Sequence, residues 1–385
     1  MPRSYWAPKV RSRGWPTDVV ALWRSGQRST WAPGPVTVLR IVAAHGRECA
    51  HMSVDIGVMI CRSVWSPQRL LECFGWSMMI AVAGGFGIGM TMRLDHAPEA
   101  GETVTGGVLA SGPGGKGSNQ AIAIARLGHS VALFSSVGDD SAGRDAYTLW
   151  TSEGVDWGAV VVTPAPTMTG FILVDGTGEN RIAIAPGALA LLEPRHVERF
   201  RSRIRDAELV VVSLEVPWGV ARRVLEIAAE EGTRRLLNPA PATVPMGDLV
   251  GIADIVTPNA SEARALLGIR HGDERSESSL AIELSTVIGC DVVLTLGSRG
   301  AIVVQAGVAT EIPPHPVAVT VDTTGAGDAF TAALAVAVAE AVPLLDAARW
   351  AARAGAHAVG IAEVVPALAT RSDLGEPTMH QEERS

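Results

Sequence analysis

Two stretches of this sequence combine glycine with residue types that handle a charged ligand. The first is Ser111–Gln120 (SGPGGKGSNQ), which leads into an apolar helical pattern. Glycines at the start of a helix allow backbone N–H groups to approach an anionic or polar ligand. The spacing differs from GxxxxGK[ST], because Ala110 and Gly117 stand where that motif needs glycine and Ser or Thr. The stretch therefore predicts a ligand site that is not a Walker motif.

Lys116 within this stretch is unusual for the chain. Of the 32 Lys and Arg residues, only Lys9 and Lys116 are lysines. Lysine carries a compact point charge, whereas arginine presents a planar fork. A single lysine beside Gly115 and Gly117 favours a specific role in ligand binding. The alternative is that Lys116 lies in a flexible loop and is a lysine only by chance.

The second stretch, Asp322–Asp328 (DTTGAGD), opens another apolar helical pattern. Gly325, Ala326 and Gly327 would expose free N–H groups at the positive end of that helix, which predicts an anion hole for a transferring phosphoryl group. Asp328 in the first turn could accept a hydroxyl proton. An aspartate at a helix start is more often a cap. Two glycines just before a helix are costly unless backbone touches a ligand, which favours the catalytic interpretation.

Two further turns follow predicted strands. Asn259 and Glu262 come after Ile252–Thr257 and could contact phosphate oxygens or hold water around Mg²⁺. A helix-capping pair is the simpler explanation of Glu262. The turn Leu296–Gly300 follows the strand pattern Val292–Leu296. Both turns belong to the edge where parallel strands place their ligand loops.

The elements that must position these residues begin near residue 78. Short β-rich runs alternate with helical patterns, which predicts an α/β fold with a doubly wound, mostly parallel sheet flanked by helices. The segments 90–108 and 167–185 break the alternation and predict the strands of a small β-sheet lid, which would exclude water from a ligand beneath it. The predicted strands are Val131–Val137, Leu209–Leu214, Arg235–Leu237, Ile252–Thr257, Val292–Leu296 and Ala301–Gln305, and the long helices are 326–341 and 344–359.

Composition excludes several classes of protein. The 385 residues are 47% hydrophobic, which excludes a disordered chain, and the net charge of −8 argues against a nucleic-acid partner. The four cysteines form no CxxC pair, so a zinc site is not expected and a reducing cytoplasm is predicted. No apolar run approaches the roughly 18 residues that a membrane span needs.

The charge is unevenly distributed along the chain. Residues 1–77 carry ten Lys/Arg and four Asp/Glu, a balance of +6, whereas residues 78–385 carry 22 and 36, a balance of −14. Residues 1–77 also show no sustained hydrophobic period. We expect that Met78 or Met79 is the true start and that 1–77 is upstream sequence read through from a mis-called start codon. The alternative is a genuine, poorly ordered extension. Residues 375–385 are predicted to be a polar tail.

Taken together, three motifs resemble the signatures of the ribokinase (PfkB) family of carbohydrate kinases. They are Gly114–Ala121, Asn259–Glu262 and Asp322–Asp328, with further similarity to ribokinases at 101–106, 237–242 and 296–300. The resemblance covers about 80–374. It implies a kinase domain over 78–374, MgATP as the phosphate donor, and a homodimer made through the lids. The reaction it implies is transfer of the γ-phosphate to a primary hydroxyl, with D-ribose converted to D-ribose 5-phosphate.

The resemblance also implies roles for single residues. Asp328 would be the base, and Gly325, Ala326 and Gly327 the anion hole. Sugar hydroxyls would be held by Gly115, Lys116, Asn119 and Glu215. The ATP site would contain Asn259, Thr295, Gly297, Ser298, Gly300 and Gly327, with Glu262 serving Mg²⁺ through water. A monovalent-cation loop, for K⁺, would contain Asp322, Thr324, Ala358, Ile361 and Glu363.

The departures from the family pattern concern the acceptor and the cation. Gly87 and Gly89 stand where ribokinases place an Asn and an Asp on the sugar, so another acceptor such as fructose, 2-keto-3-deoxygluconate or a nucleoside such as adenosine remains an alternative. Glu363 and Ala367 replace the usual Gly and Ser, which leaves K⁺ dependence open. A catalytically silent sugar-binding protein is a further alternative. A dehydrogenase is disfavoured, because Gly84–Gly89 lacks the G-x-G-x-x-G spacing.

Overall fold

The computed structural model of the chain describes residues 9–10, 19–27, 36–43, 78–177, 179–269 and 273–378. It divides the chain into two units, Met1–Ser77 and Met78–Ser385. In the first unit, strands β1 (Lys9–Val10), β2 (Val19–Gln27) and β3 (Val36–Ala43) form an antiparallel sheet in that order. The rest of the predicted extension, and residues 379–385 of the predicted tail, lie outside the described residues.

An eight-stranded sheet forms the centre of the second unit, in the order β17-β16-β15-β14-β13-β12-β4-β7. The six strands from β7 to β15 are parallel to one another. Strand β16 is antiparallel to β15, and β17 is antiparallel to β16. The predicted α/β fold with a mostly parallel sheet is thereby confirmed. The strands are β4 (Met79–Ala83), β7 (Ser130–Phe134), β12 (Leu209–Ser213), β13 (Arg234–Asn238), β14 (Ile255–Val256), β15 (Asp291–Thr295), β16 (Ala301–Gln305) and β17 (Val308–Ile312).

Helices cover both faces of this sheet. Parallel strands that are buried on both faces consist of continuous apolar residues. Leu209–Ser213 is an example, since it is buried at every position. One apolar cluster includes Ile122, Leu334 and Trp350, and the other includes Phe200, Val224 and Leu284. The helices are α1 (Lys116–Arg126), α2 (Ser141–Ser152), α3 (Arg201–Asp206), α4 (Trp218–Glu231), α5 (Ala260–Leu266), α6 (Glu277–Ile288), α7 (Ala326–Ala339), α8 (Leu344–Ala358), α9 (Val364–Ala367) and α10 (Arg371–Leu374). Short 3₁₀ turns lie at Gly187–Leu191, Pro194–Phe200, Met246–Leu249 and Gly297–Arg299.

Helix α7 is buried along most of its length. Its residues from Asp328 to Val338 are all buried, and most are alanine or valine. A helix that is apolar all round belongs in a protein interior, and small side chains let neighbouring helices approach closely. The burial fixes the first turn of α7, with Asp328, in the interior.

A second, four-stranded sheet has the order β11-β10-β5-β6. Its strands are β5 (Gly87–Arg93), β6 (Val108–Gly114), β10 (Met168–Val174) and β11 (Asn180–Ala185), and a short parallel pair, β8 (Ser136–Gly138) and β9 (Val161–Thr163), lies apart from it. The segment 90–108 is thus mostly the connection between β5 and β6. Glycines hide the two-residue alternation of these strands, because Gly87 pairs with Gly114 and Gly89 with Gly112.

Loops that follow β4, β12, β13, β14 and β15 share one edge of the central sheet, because the C-termini of parallel strands meet there. The chain leaves β4 through residues 84–86 and directly enters the four-stranded sheet at β5. This connection places the four-stranded sheet, which contains the segments predicted to form a lid, beside this edge of the central sheet. Among the described residues, no helix is long and apolar enough to cross a bilayer.

Candidate active site

The first turn of α1 packs directly against the loop between β4 and β5. Gly115 has φ 95°, and a Cβ there would lie 2.6 Å from the carbonyl oxygen of Gly85 and from Cα of Phe86. A Cβ on Gly117 would collide with Gly84. Glycine is therefore needed at this contact, and it brings the backbone of Lys116 to the sheet edge.

Glu215 follows β12 and accepts hydrogen bonds from this backbone. Its Oε2 atom lies 2.6 Å from the amide nitrogen of Lys116 and 3.2 Å from that of Gly85. Burial, and then the negative charge of Asp328, raise the pKa of Glu215 to about 7, although Lys116 and the amide donors act in the opposite direction. The carboxyl group can therefore accept or donate a hydrogen bond near neutral pH.

The side chain of Asp328 is 5% exposed and lies in the first turn of α7. Its Oδ2 accepts a hydrogen bond from Nδ2 of Asn119 at 2.8 Å, and its Oδ1 accepts one from Nε2 of Gln120 at 3.2 Å. Nζ of Lys116 lies 3.9 Å from Oδ1. The two glycine-rich motifs of the sequence, 200 residues apart on the chain, thus meet at one carboxylate.

The charge of Asp328 acts in turn on the lysine. Asp328, followed by the more distant carboxylates of Glu215 and Glu262, raises the pKa of Lys116, while burial opposes the shift. Lys116 therefore carries its positive charge at any physiological pH. A fixed cation beside a buried carboxylate is suited to a reaction in which negative charge develops nearby.

The start of α7 is shaped for a ligand to approach its backbone. Gly325, at the N-cap, has φ 80°, and a Cβ there would lie 2.6 Å from Cγ1 of Val364. No described atom lies within 4 Å of the place where a Cβ on Gly327 would point. The first amides of an α-helix have no acceptor within the helix, so those of Gly327 and Asp328 are available to an anion.

The residues predicted for ATP form two adjacent turns. Asn259 caps α5: its Oδ1 accepts a hydrogen bond from the amide of Glu262 at 2.8 Å, and Oε2 of Glu262 accepts one from the amide of Asn259 at 2.8 Å. Thr295, at the end of β15, donates its N–H to the carbonyl of Pro258 at 2.9 Å. The tight turn Gly297–Arg299, which includes Ser298, and then Gly300 follow β15. The capping explanation of Glu262 is therefore correct as local structure, and burial raises the pKa of this carboxyl.

Comparison with known proteins agrees with this geometry. The family model for the pfkB family carbohydrate kinases matches residues 86–368. The chain belongs to this family. The ribokinase of Haemophilus influenzae is 33% identical over 307 residues, covering 78% of this chain and 98% of the relative, and the ribokinase of Schizosaccharomyces pombe is 33% identical over 302 residues, covering 75% and 95%.

Solved ribokinases share the fold of this carbohydrate kinase. The structure from Thermotoga maritima has a TM-score of 0.70 at 28% identity and covers 77% of this chain and 98% of its own. The Arabidopsis thaliana ribokinase, solved with ribose and ATP, has a TM-score of 0.71 at 26% identity and covers 77% and 97%. The predicted family and the predicted class of enzyme, a phosphotransferase with an alcohol acceptor, are confirmed.

The segments predicted to bind a monovalent cation also lie together in this kinase. The amide of Asp322 donates to the carbonyl of Val359 at 3.3 Å, which brings the motif next to the end of α8, and Ala358 accepts from the amide of Ile361 at 3.3 Å. Oδ1 of Asp322 accepts from the amide and the hydroxyl of Thr324, at 2.9 and 2.7 Å.

Glu363 occupies a backbone conformation that suits glycine. It has φ 65° and ψ 150°, a region populated almost only by glycine and costing other residues about 1–3 kcal/mol. The backbone here therefore suits the glycine that the resemblance to ribokinases led us to expect at this position.

Gly87 and Gly89, which were predicted to stand in place of two sugar-binding side chains, differ in their surroundings. A Cβ on Gly87 would lie 2.5 Å from the carbonyl oxygen and 2.7 Å from Cε of Met168, so the neighbouring strand fills this space. A Cβ on Gly89 would have its nearest neighbours at 3.9 Å, in Gly112 and Ile172. Only position 89 therefore has room for a larger side chain.

Sequence reasoning missed a set of buried amides behind Asp328. Gln120 contacts Asp328 and also donates to Oδ1 of Asn238 at 3.3 Å, and Nδ2 of Asn238 donates to the carbonyl of Thr257 at 2.8 Å. Gln120 and Asn238 both lie in segments that resemble ribokinases, but neither was assigned a role. The signal in the sequence that could have identified Gln120 is its place in the buried part of α1, where an aliphatic side chain is normally found.

Replacing Glu215 with glutamine tests the burial of its carboxyl group. The folded protein binds the proton more tightly than the unfolded chain, because the pKa rises from 4.5 to about 7 on folding. The stability gained from this proton is fully present below about pH 4.5 and is lost as the pH rises through about 7. Relative to Glu215→Gln, wild type should lose on the order of 2–3 kcal/mol between pH 4.5 and 8, measured by urea unfolding.

Circular dichroism of both proteins at pH 5 is the control for an intact fold. A difference in the free energy of unfolding that stays constant across this pH range would contradict the buried, protonated carboxyl group.

Proposed function

We propose that this protein is an ATP-dependent ribokinase, which transfers the γ-phosphate of ATP to the primary hydroxyl of D-ribose and forms D-ribose 5-phosphate. The observation that carries the proposal is the buried carboxylate of Asp328, placed at the start of α7 and 3.9 Å from the ammonium of Lys116. Similarity to ribokinases over about three quarters of the chain supports the choice of acceptor.

In the proposed mechanism, Asp328 accepts the proton of the acceptor hydroxyl as its oxygen attacks the γ-phosphorus and the bond to the β-phosphate oxygen breaks. The proton remains on Asp328 until the product leaves. The amides at Gly325–Gly327 would stabilise the negative charge of the transferring phosphoryl group, and Lys116 would add a fixed positive charge. Most of the catalysis then comes from alignment and charge stabilisation.

The sugar would lie between the start of α1 and Glu215. Among the described residues, Oδ1 of Asn119 is buried without a hydrogen-bond partner, so it can accept a hydrogen bond from a sugar hydroxyl. Glu215 is held by the backbone of Lys116 and Gly85 through Oε2, which leaves its other oxygen for the sugar. Gly115 keeps this part of the pocket narrow enough for these contacts.

The nucleotide would bind along Asn259, Thr295 and the turn from Gly297 to Gly300, with Gly327 at its phosphates. Glu262 would hold Mg²⁺ through water, since Mg²⁺ commonly binds one protein carboxylate together with substrate phosphates. Bound Mg²⁺ would neutralise charge on the phosphate oxygens.

K⁺ would bind at Asp322, Thr324 and the carbonyls of residues 358–363. Support comes from the hydrogen bond that joins Asp322 to Val359 and from the backbone of Glu363, which keeps a conformation typical of glycine. Dependence of turnover on K⁺, compared with Na⁺ at equal ionic strength, tests this site. The four cysteines of the sequence form no CxxC pair, which favours a reducing compartment, so we propose a cytoplasmic enzyme.

Asp328→Asn should abolish ribose phosphorylation, lowering kcat by at least about 10²–10⁴-fold, because the amide cannot accept the proton. Ribose binding, measured by calorimetry, should remain within a few-fold of wild type. ADP release in a coupled assay gives the rate, and Asp346→Asn, in the first turn of α8, is the control. Wild-type turnover in Asp328→Asn would refute the proposed mechanism, and turnover of another acceptor with none on ribose would refute ribose as the substrate.

Introducing a carboxylate at position 89 tests whether ribose binding lacks a hydrogen bond there. The position has room for a side chain, and a hydrogen bond to a charged group contributes about 1.5–3 kcal/mol, so Gly89→Asp should lower the KM for ribose by roughly 10–100-fold. The control is Gly112→Asp, because Gly112 pairs with Gly89 and no described atom lies within 4 Å of its Cβ position.

An unchanged or higher KM for ribose in Gly89→Asp, with a gain for fructose or a loss for a nucleoside, would instead favour one of the other acceptors. The same acceptor panel on wild type separates these outcomes.

We further propose that the lid sheets of two chains pack together as a homodimer. Apolar side chains on the lid are strongly exposed, at 60% for Ile182, 59% for Ile184 and 68% for Val108, and these three lie on the same face of the sheet according to the strand register. A patch of this kind on a monomer would be costly to leave in water.

Ile182→Glu combined with Ile184→Glu should convert the dimer to a monomer in sedimentation velocity, because two carboxylates per chain would be buried at the interface. The control is Val308→Glu, which lies on the central sheet and is 66% exposed. A monomeric wild type, or a double variant that still dimerises, would contradict this arrangement.

A further inference from the structure

The side chain of Gln120 makes two contacts that link the candidate base to the central sheet. It is fully buried, in α1, directly after Asn119. Its Nε2 atom lies 3.2 Å from Oδ1 of Asp328 and 3.3 Å from Oδ1 of Asn238. An amide nitrogen has two N–H groups, so each of them has one acceptor.

This arrangement fixes the plane of the Asp328 carboxylate. The terminal torsion of an aspartate is broad, so a single donor leaves the group able to rotate. Asn119 donates to Oδ2 and Gln120 donates to Oδ1, and the two oxygens are therefore held from separate side chains. Asn119 is also a proposed sugar ligand, whereas Gln120 has no surface through which an acceptor could touch it.

Asn238 anchors Gln120 in turn. Its Nδ2 atom donates to the carbonyl of Thr257 at 2.8 Å, so the side chain spans from the end of β13 to the residue after β14. Asp328 is therefore held in place by the parallel sheet as well as by the helix on which it lies.

The two N–H donors of Gln120 are the property that this position uses. Both neighbours present acceptor oxygens, so the amide nitrogen must face them, and Oε1 of Gln120 is left buried without a partner among the described residues. A methionine of similar length would remove this unpaired oxygen, but it would also leave Oδ1 of Asp328 and Oδ1 of Asn238 without a donor from residue 120.

We propose that Gln120 is a positioning residue, which orients the carboxylate of Asp328 toward the acceptor hydroxyl through hydrogen bonds to Asp328 and Asn238. The inference rests on the proposed role of Asp328 as the base. Gln120 itself does not contact either substrate.

Gln120→Met tests the proposal, because it keeps the length of the side chain and removes both donors. We expect kcat to fall by about 10–100-fold, since misalignment of a reacting group is costly, while the KM for the acceptor changes little. A carboxylate that loses an N–H donor binds its proton more tightly, so the acidic limb of the pH profile of kcat/KM should move to higher pH. In an Asp328→Asn background, Gln120→Met should cause no further loss of activity.

The matched control is Gln305→Met. Nε2 of Gln305 donates to Oδ2 of Asp291 at 3.0 Å, so the substitution removes another hydrogen bond between an amide and a carboxylate, on strands β16 and β15. Its kcat and its pH profile should equal those of wild type. Gln120→Glu is the second variant, with the same shape as glutamine: once protonated it can donate to Asp328 again, so its activity relative to wild type should rise as the pH falls.

Three results would overturn the proposal. In the first, Gln120→Met has a lower thermal midpoint but a normal kcat per folded enzyme and an unshifted pH profile. This result would mean that Gln120 has only a structural role. The effect of Gln120→Met could persist undiminished in the Asp328→Asn background, which places its action elsewhere. Gln120→Glu could lose activity equally at every pH. Failure of the proposed function would show in Asp328→Asn alone, because that variant would then keep wild-type turnover. The result for Gln120→Met would not affect this conclusion.

Discussion

The active-site region of this kinase depends on one constraint: a carboxylate buried among helices must have hydrogen-bond partners. An isolated ion in the protein interior is strongly disfavoured, so it requires partners with the correct geometry. Asp328 has amide donors on both oxygens and an ammonium 3.9 Å away. The glycine-rich start of α1 exists to bring those partners within reach, because any side chain on Gly115 or Gly117 would keep the helix away from the loop after β4. The start of α1, the loop after β4 and Asp328 therefore depend on one another for their positions.

The same neighbourhood contains a second buried carboxyl group, whose pKa is raised. Glu215 lies close enough to Asp328 and Lys116 for both to affect its pKa, and burial is the largest cause of its shift to about 7. One carboxyl group is therefore surrounded by donors, and the other by backbone and a like charge. Two carboxyl groups whose environments differ in this way can divide proton transfer and substrate orientation between them.

Much of this organisation could be predicted from the sequence. The βα alternation from residue 78 gave the parallel sheet, and the motifs around Lys116 and Asp328 identified the family and both halves of the site. The boundaries of the lid strands could not be predicted well, because Gly87, Gly89, Gly112 and Gly114 carry no side chains from which to infer a face. Gln120 and Asn238 were not assigned roles, since their importance comes from contacts between distant parts of the chain. The space beside Gly87 could not be foreseen either, because Met168 fills it from another strand.

That last contact bears on how substrate preference can change during evolution. At Gly89 a single substitution can introduce a polar side chain. At Gly87 the obstacle includes the main-chain oxygen of Met168, which no substitution at position 168 can remove. A side chain there requires β10 itself to move, and hence several coordinated changes. New specificity can therefore arise more easily at position 89 than at position 87.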